Sequence, residues 1–97
     1  LQTAKIKDIR DGMENVNITA RVTAIERRGT VETRYGPAET AVAVIEDETG
    51  RIRLKLWRSQ IDKAKVGSMV RIENAFASTF DGRLELNVGS RGKIEGL

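Results

Sequence analysis

Apolar and polar residues alternate with a period of two along much of this chain, which is the pattern of half-buried β-strands rather than of helices. Residues 51–57 show it best. Ile52, Leu54 and Leu56 point one way, while Arg51, Arg53, Lys55 and Trp57 point the other. Residues 15–26 repeat the pattern, with Val16, Ile18, Ala20 and Val22 opposite Asn17, Thr19, Arg21 and Thr23. The alternation then slips at the adjacent pair Ala24-Ile25, which predicts a β-bulge that bends the strand. Residues 40–45 form an apolar, β-branched run and a further strand, whose inward face the pattern leaves ambiguous.

Turn and helix signals divide the rest. Residues 5–9 suit one helical turn, with Ile6 and Ile9 three apart, stopped by Asp11-Gly12. Residues 27–38 are polar, contain the only proline, and read as a long loop. Asp47-Glu48-Thr49-Gly50 reads as a tight turn with Gly50 at a left-handed position. Ser59 is placed to cap a short helix over residues 60–65, ended by Gly67. Residues 68–77 read as a fourth strand with Val70 and Ile72 inward. Asp81-Gly82 turns the chain into a fifth strand carrying Leu84, Leu86 and Val88, and residues 89–97 read as a fraying tail. Three strands, a short helix and two strands predict an all-β fold: a five-stranded Greek-key OB-fold barrel with its helix between strands three and four. An SH3-like barrel also has five strands, but no helix at that place.

Composition narrows the chemistry. The 97 residues make one domain, 1–97, with about 5–94 expected to be ordered. The absence of Cys and His removes disulfides, Cys/His zinc sites and His-based catalysis. No cofactor or metal is expected, nor is a membrane partner, since no apolar run approaches a membrane span. The chain begins at Leu1 without an initiator Met, which suggests a piece excised from a longer protein. A net charge of +3 is only a weak pointer to nucleic acid; the placement of the charges says more.

Binding of single strands takes cations along a groove, for phosphates, and flat rings on which bases stack. OB-folds use the outer face of strands two and three, flanked by the loops joining strands 1–2 and 4–5. Arg51, Arg53 and Lys55 put three cations on the outer face of strand three, and Trp57 ends it. The first loop adds Arg27, Arg28, Arg34 and Tyr35; the second adds Phe80 and Arg83. Each has a structural alternative. Trp57 could instead cap the barrel under the helix, Phe80 fold over a barrel end, and the cations form a solvated face, but the convergence of rings and cations on one surface favours binding. Tyr35 is the weaker ring candidate. Simple alternation from Val70 and Ile72 places Phe76 inward.

Four stretches resemble the archaeal single-stranded DNA-binding proteins and the similar OB domains of archaeal replication protein A. They are Met13-Glu14-Asn15-Val16-Asn17-Ile18, Asp47-Glu48-Thr49-Gly50-Arg51-Ile52, Leu54-Lys55-Leu56-Trp57 and Val70-Arg71-Ile72-Glu73-Asn74-Ala75. The resemblance covers about residues 5–94. It implies three base-stacking aromatics, which fall on Trp57, Phe76 and Phe80, and hence a bulge or twist that turns Phe76 outward. Phe76 stands where the family often has Trp, which implies weaker stacking there. The family's flexible C-terminal tail and the zinc finger of some members have no counterpart here, in keeping with a trimmed domain. The implied function is sequence-tolerant binding of single-stranded DNA in replication, recombination or repair, by a cytoplasmic, nucleoid-associated protein that catalyses nothing. The implied partners are the DNA strand and other OB subunits or domains. An RNA-binding OB domain and a protein-interaction OB module are the alternatives. The paired carboxylates Asp47 and Glu48 are explained by their turn, and no nucleophile–base set accompanies them.

Overall fold

The alternation of residues 51–57 becomes strand β3 (Gly50–Trp57), in which Leu54 and Leu56 are fully buried. It sits in a computed structural model that describes residues 3–97. Five further strands surround it: β1 (Val16–Thr33), β2 (Gly36–Asp47), β4 (Met69–Phe80), β5 (Arg83–Asn87) and β6 (Lys93–Gly96). The order β1-β2-β3-β5-β4, closed by a β1–β4 pairing, makes a five-stranded ring, and β6 adds to the free edge of β4. All pairings are antiparallel except β3–β5, the parallel step of the Greek key. A three-ten helix (Arg58–Lys63) joins β3 to β4. This is the OB barrel. Among the described residues, no helix is long and apolar enough to cross a membrane.

The core follows the alternation. Val16, Ile18, Ala20 and Val22 of β1 meet Val70 and Ile72 of β4, and Leu86 and Val88 close the far side. The inward face of β2 is Ala41, Ala43 and Ile45, which pair with Leu56, Leu54 and Ile52. The predicted bulge is present as two register shifts in β1, between Val22 and Ala24 and between Ile25 and Arg27. Such bulges increase local twist and let a long strand serve two sides of a barrel.

Four sequence expectations need correction. Residues 27–38 are not a loop: they extend β1 and β2 into a ladder that continues to the Thr33–Gly36 pair. Only Ala38 among them is buried, because most of the ladder projects beyond the core, so no alternation shows. Gly50 is not left-handed; that role falls elsewhere, to Gly36 at φ 102° and to Asp81-Gly82 at φ 53° and 76°. Two consecutive positive φ values at Asp81-Gly82 are those of a type I′ hairpin turn. The helix is of the three-ten type, runs two residues earlier than expected and ends at Lys63, and Ser59 lies inside it rather than at its cap. The tail does not fray, because β6 pairs Ile94 with Ile72 and buries it.

The Asp-Glu-Thr-Gly turn is a fastening. Asp47 accepts hydrogen bonds from the Ile6 N–H at 2.9 Å and the Thr49 N–H at 2.7 Å, and Glu48 pairs with Lys5 at 2.7 Å. These contacts tie the β2–β3 turn to the three-ten turn Ile6–Asp8, whose Ile6 enters the core. Burial alone would raise the Asp47 pKa. The Thr49 hydroxyl and the N–H groups of Ile6, Thr49 and Gly50 outweigh it and hold the carboxyl below its usual range.

Candidate nucleic-acid interface

Cross-strand neighbours share a face, so the register assembles the outer surface directly. One row runs Arg27, Val42, Lys55, Asn87, Phe76 across five strands. The next row runs Ala24, Val44, Arg53, Glu85, Ser78. Trp57 lies beyond the first row beside Thr40, whose other neighbour is Gly29. Cations of β1 and β3 thus share a surface with two rings.

Phe76 reaches that surface because β4 breaks its own alternation. Val70 and Ile72 face in, Asn74 takes φ 57°, and Ala75 and Ala77 are then the buried residues. The flip leaves Phe76 40% exposed, on the outer face. The left-handed Asn74 is held in place: its N–H donates to Asn17 Oδ1 at 2.9 Å and its side chain to the Arg91 carbonyl at 3.3 Å. Asn is among the few non-glycine residues that tolerate this conformation.

Trp57 and Phe76 border one open cleft of about 510 Å³, together with Arg58, Gln60, Asn87 and Gly89. Gln60 spans its floor. The side-chain carbonyl of Gln60 accepts from the Trp57 N–H at 2.9 Å, and its amide donates to the Gly89 carbonyl at 2.8 Å. The end of β3 and the end of β5 are therefore held at a fixed separation by one side chain. Gly89, at φ 70°, has no Cβ to obstruct the ring; an added one would lie 2.9 Å from Phe76 Cε1.

The other predicted residues divide into three groups. Phe80, 60% exposed, borders a groove with Arg27, Val42 and Lys55, and a further cavity with Arg53 and Arg83. Lys55 makes no ion pair with a described residue; its ammonium stands 5.6 Å from the Trp57 ring centroid. Arg51 and Arg53 are partly committed, to Glu46 at 2.8 Å and to Glu26 at 2.7 Å. Arg28 pairs with Ala41 on the opposite face and borders both the Phe80 groove and a cavity beside Ser59 and Asp62. Arg34 and Tyr35 are not brought to the cleft. They form the hairpin tip, about 13 Å beyond the Gly29–Thr40 pair at the usual strand rise. There the Tyr35 ring is 84% exposed, with the Arg34 guanidinium 5.9 Å from its centroid.

The sequence reading missed Gln60, Asn87, Gly89 and Glu85. A signal for Gln60 was present: it stands three residues after the strand-ending Trp57, the spacing at which a side chain reaches back to a helix cap. Asn87 and Glu85 follow from alternation once β5 is known to lie beside β3.

A family model described as single-stranded DNA binding protein Ssb-like, OB fold, matches residues 9–96. The chain belongs to this family. It is 38% identical over 90 residues to the single-stranded DNA binding protein Ssb of Saccharolobus solfataricus, covering 93% of this chain and 61% of that protein. It is 28% identical over 95 residues to Replication factor A of Methanothermobacter thermautotrophicus, covering 97% of this chain and 12% of that protein. The Ssb-like domain thus spans less than two thirds of either relative. Among solved structures, the OB domain of Ta0387 from Thermoplasma acidophilum superposes with a TM-score of 0.85 at 29% identity, over 98% of this chain and 86% of that one.

Proposed function

We propose that this domain binds single-stranded DNA, stacking bases on Trp57, Phe76 and Phe80 while Arg27, Lys55 and Arg83 meet phosphates. The observation that carries the reading is the shared cleft of Trp57 and Phe76, continuous across one face with the Lys55–Arg27 row. Base–aromatic stacking contributes about 1–3 kcal/mol per base and tolerates any sequence, because every base has a π-face. The cation beside Trp57 supports the same reading, since an approaching strand offers phosphates next to its stacked bases.

Arg51, Arg53 and Arg28 serve as secondary phosphate contacts, and Arg34 with Tyr35 as an outlying contact for a longer strand. The domain works without catalysis: Asp47 and Glu48 are spent on the turn that holds Ile6 and Lys5. Its setting is DNA replication, which the name of the relative Replication factor A supports; a place at the nucleoid beside other OB units completes the proposal.

Trp57 is the only tryptophan, so its fluorescence reports the site without interference. Titration with a single-stranded DNA oligomer should quench that signal; Phe76→Ala read by the same signal, and Trp57→Ala read with a labelled oligomer, should each weaken binding about 5- to 100-fold, the range set by one stacking contact. An unchanged signal together with no binding by an independent method would refute the proposal. Tighter binding of the matched RNA oligomer would transfer it to RNA.

A further inference from the structure

Glu85 lies on the floor of the proposed DNA surface and is only 7% exposed. It makes no hydrogen bond or ion pair with any described residue. Its neighbours across the sheet are Arg53 on β3 and Ser78 on β4. Arg53 is already engaged, with Nε 2.7 Å and Nη2 3.4 Å from the two carboxylate oxygens of Glu26. Among the described residues, no side-chain oxygen or nitrogen is both sealed from solvent and unpaired. The Glu85 oxygens therefore reach solvent through the small part of the residue that is open. That opening is a cavity of about 310 Å³ bordered by Arg53, Phe80 and Arg83.

A carboxylate that has lost most of its water without gaining a protein donor costs free energy. An ionised carboxylate only accepts hydrogen bonds. In the free protein water satisfies it through the opening, which Arg27, Arg53 and Arg83 also border; a ligand that displaces that water must bring a donor and fit over the cavity beside Phe80. A phosphate fails on charge. Phe80 and Glu85 border the same cavity, so a base resting on Phe80 would bring its edge over Glu85.

We propose that Glu85 reads this base, accepting a hydrogen bond from the exocyclic amino group of cytosine, adenine or guanine, and so disfavours thymine at one position. The inference rests on the single-stranded DNA reading above. Cytosine N4 is a donor that a carboxylate side chain recognises, and adenine N6 is an amino donor of the same kind. Thymine flanks its single N3–H with two carbonyl oxygens, whose lone pairs face the carboxylate. Stacking on Trp57 and Phe76 remains indifferent to sequence, so the preference is graded rather than absolute.

The test compares oligo-dC with oligo-dT of equal length, at one salt concentration, for the unaltered chain, Glu85→Gln and Glu85→Ala. Loss of the charge raises affinity for both oligomers alike, so the ratio of the two dissociation constants isolates base reading. Glu85→Ala should lower the preference for oligo-dC about fivefold, the worth of one hydrogen bond, and Glu85→Gln, whose amide keeps an acceptor oxygen, should lower it by less. An unchanged ratio in the variants, with both oligomers still bound, overturns the role of Glu85 and leaves the DNA reading intact. Failure of the unaltered chain to bind either oligomer overturns both. If thermal melts show that neither variant folds, Glu85 is a structural residue and the inference is equally wrong.

Discussion

At the scale of single residues, the cleft depends on two positions that touch no predicted contact to a phosphate. Gln60 ties the Trp57 backbone to the Gly89 carbonyl, and Gly89 leaves room for the Phe76 ring. Substituting Gly89→Ala brings two separate penalties. A left-handed alanine costs about 1–3 kcal/mol, and its Cβ would stand 2.9 Å from Phe76 Cε1, so the ring must move. We therefore expect a lower melting temperature together with weaker oligomer binding. The loss in binding should persist at temperatures where the variant is fully folded, which separates displacement of the ring from unfolding. Phe76 itself marks the limit of the sequence pattern. Alternation from Val70 and Ile72 points it inward, and only the left-handed Asn74 reverses that. A single φ value carries no periodic signature, so the outward ring had to come from family resemblance rather than from the residues of β4.

At the scale of elements, what was legible depended on whether an element has a buried face. Strand β3 was readable because Ile52, Leu54 and Leu56 alternate with charges against a core. Of residues 27–38 in the β1–β2 ladder only Ala38 is buried, too little for a period to show, so the polar-rich segment looked like a loop. Strand β6 has one buried apolar residue, Ile94, too few for a period to show. The Asp47 turn was legible as a turn but not as the clasp that holds the N-terminal segment. Its consequence is a pH dependence of stability. The folded-state pKa of Asp47 is depressed, so its stabilisation is fully present above the unfolded aspartate value of about 3.9 and is lost as pH falls through the lower folded value. At pH 7, Asp47→Asn should be less stable by about 1–2 kcal/mol in urea denaturation, since charge-assisted hydrogen bonds become neutral ones. As the pH falls through the lowered folded value, the gap between the two proteins should close. A gap of constant size across the acid range would mean that the charge of Asp47 is not what holds the clasp.

For the whole molecule, a formal charge of +3 understates how unevenly the cations are available. Arg51 is bonded to Glu46 and Arg53 to Glu26, whereas Lys55 stands among rings without a carboxylate partner among the described residues. A paired cation already has its counter-charge in the protein, so transferring it to a phosphate exposes an acid that must be rehydrated. A free cation binds a phosphate and simply releases counterions from the strand. Each phosphate neutralised contributes about −0.7 to the slope of log K against log salt for single strands. If three or four phosphates are met, the unaltered domain should show a slope of about −2 to −3. Lys55→Gln should make that slope less steep by close to a full contact, about 0.7. Arg51→Gln should change it by clearly less, because Arg51 lies about 20 Å along β3 from Trp57 at the usual strand rise and is already paired. Measuring both variants by fluorescence titration across a salt series decides the matter. Equal slope changes would show that the Arg51–Glu46 pair opens freely to DNA, and that the phosphate path extends to the far end of β3.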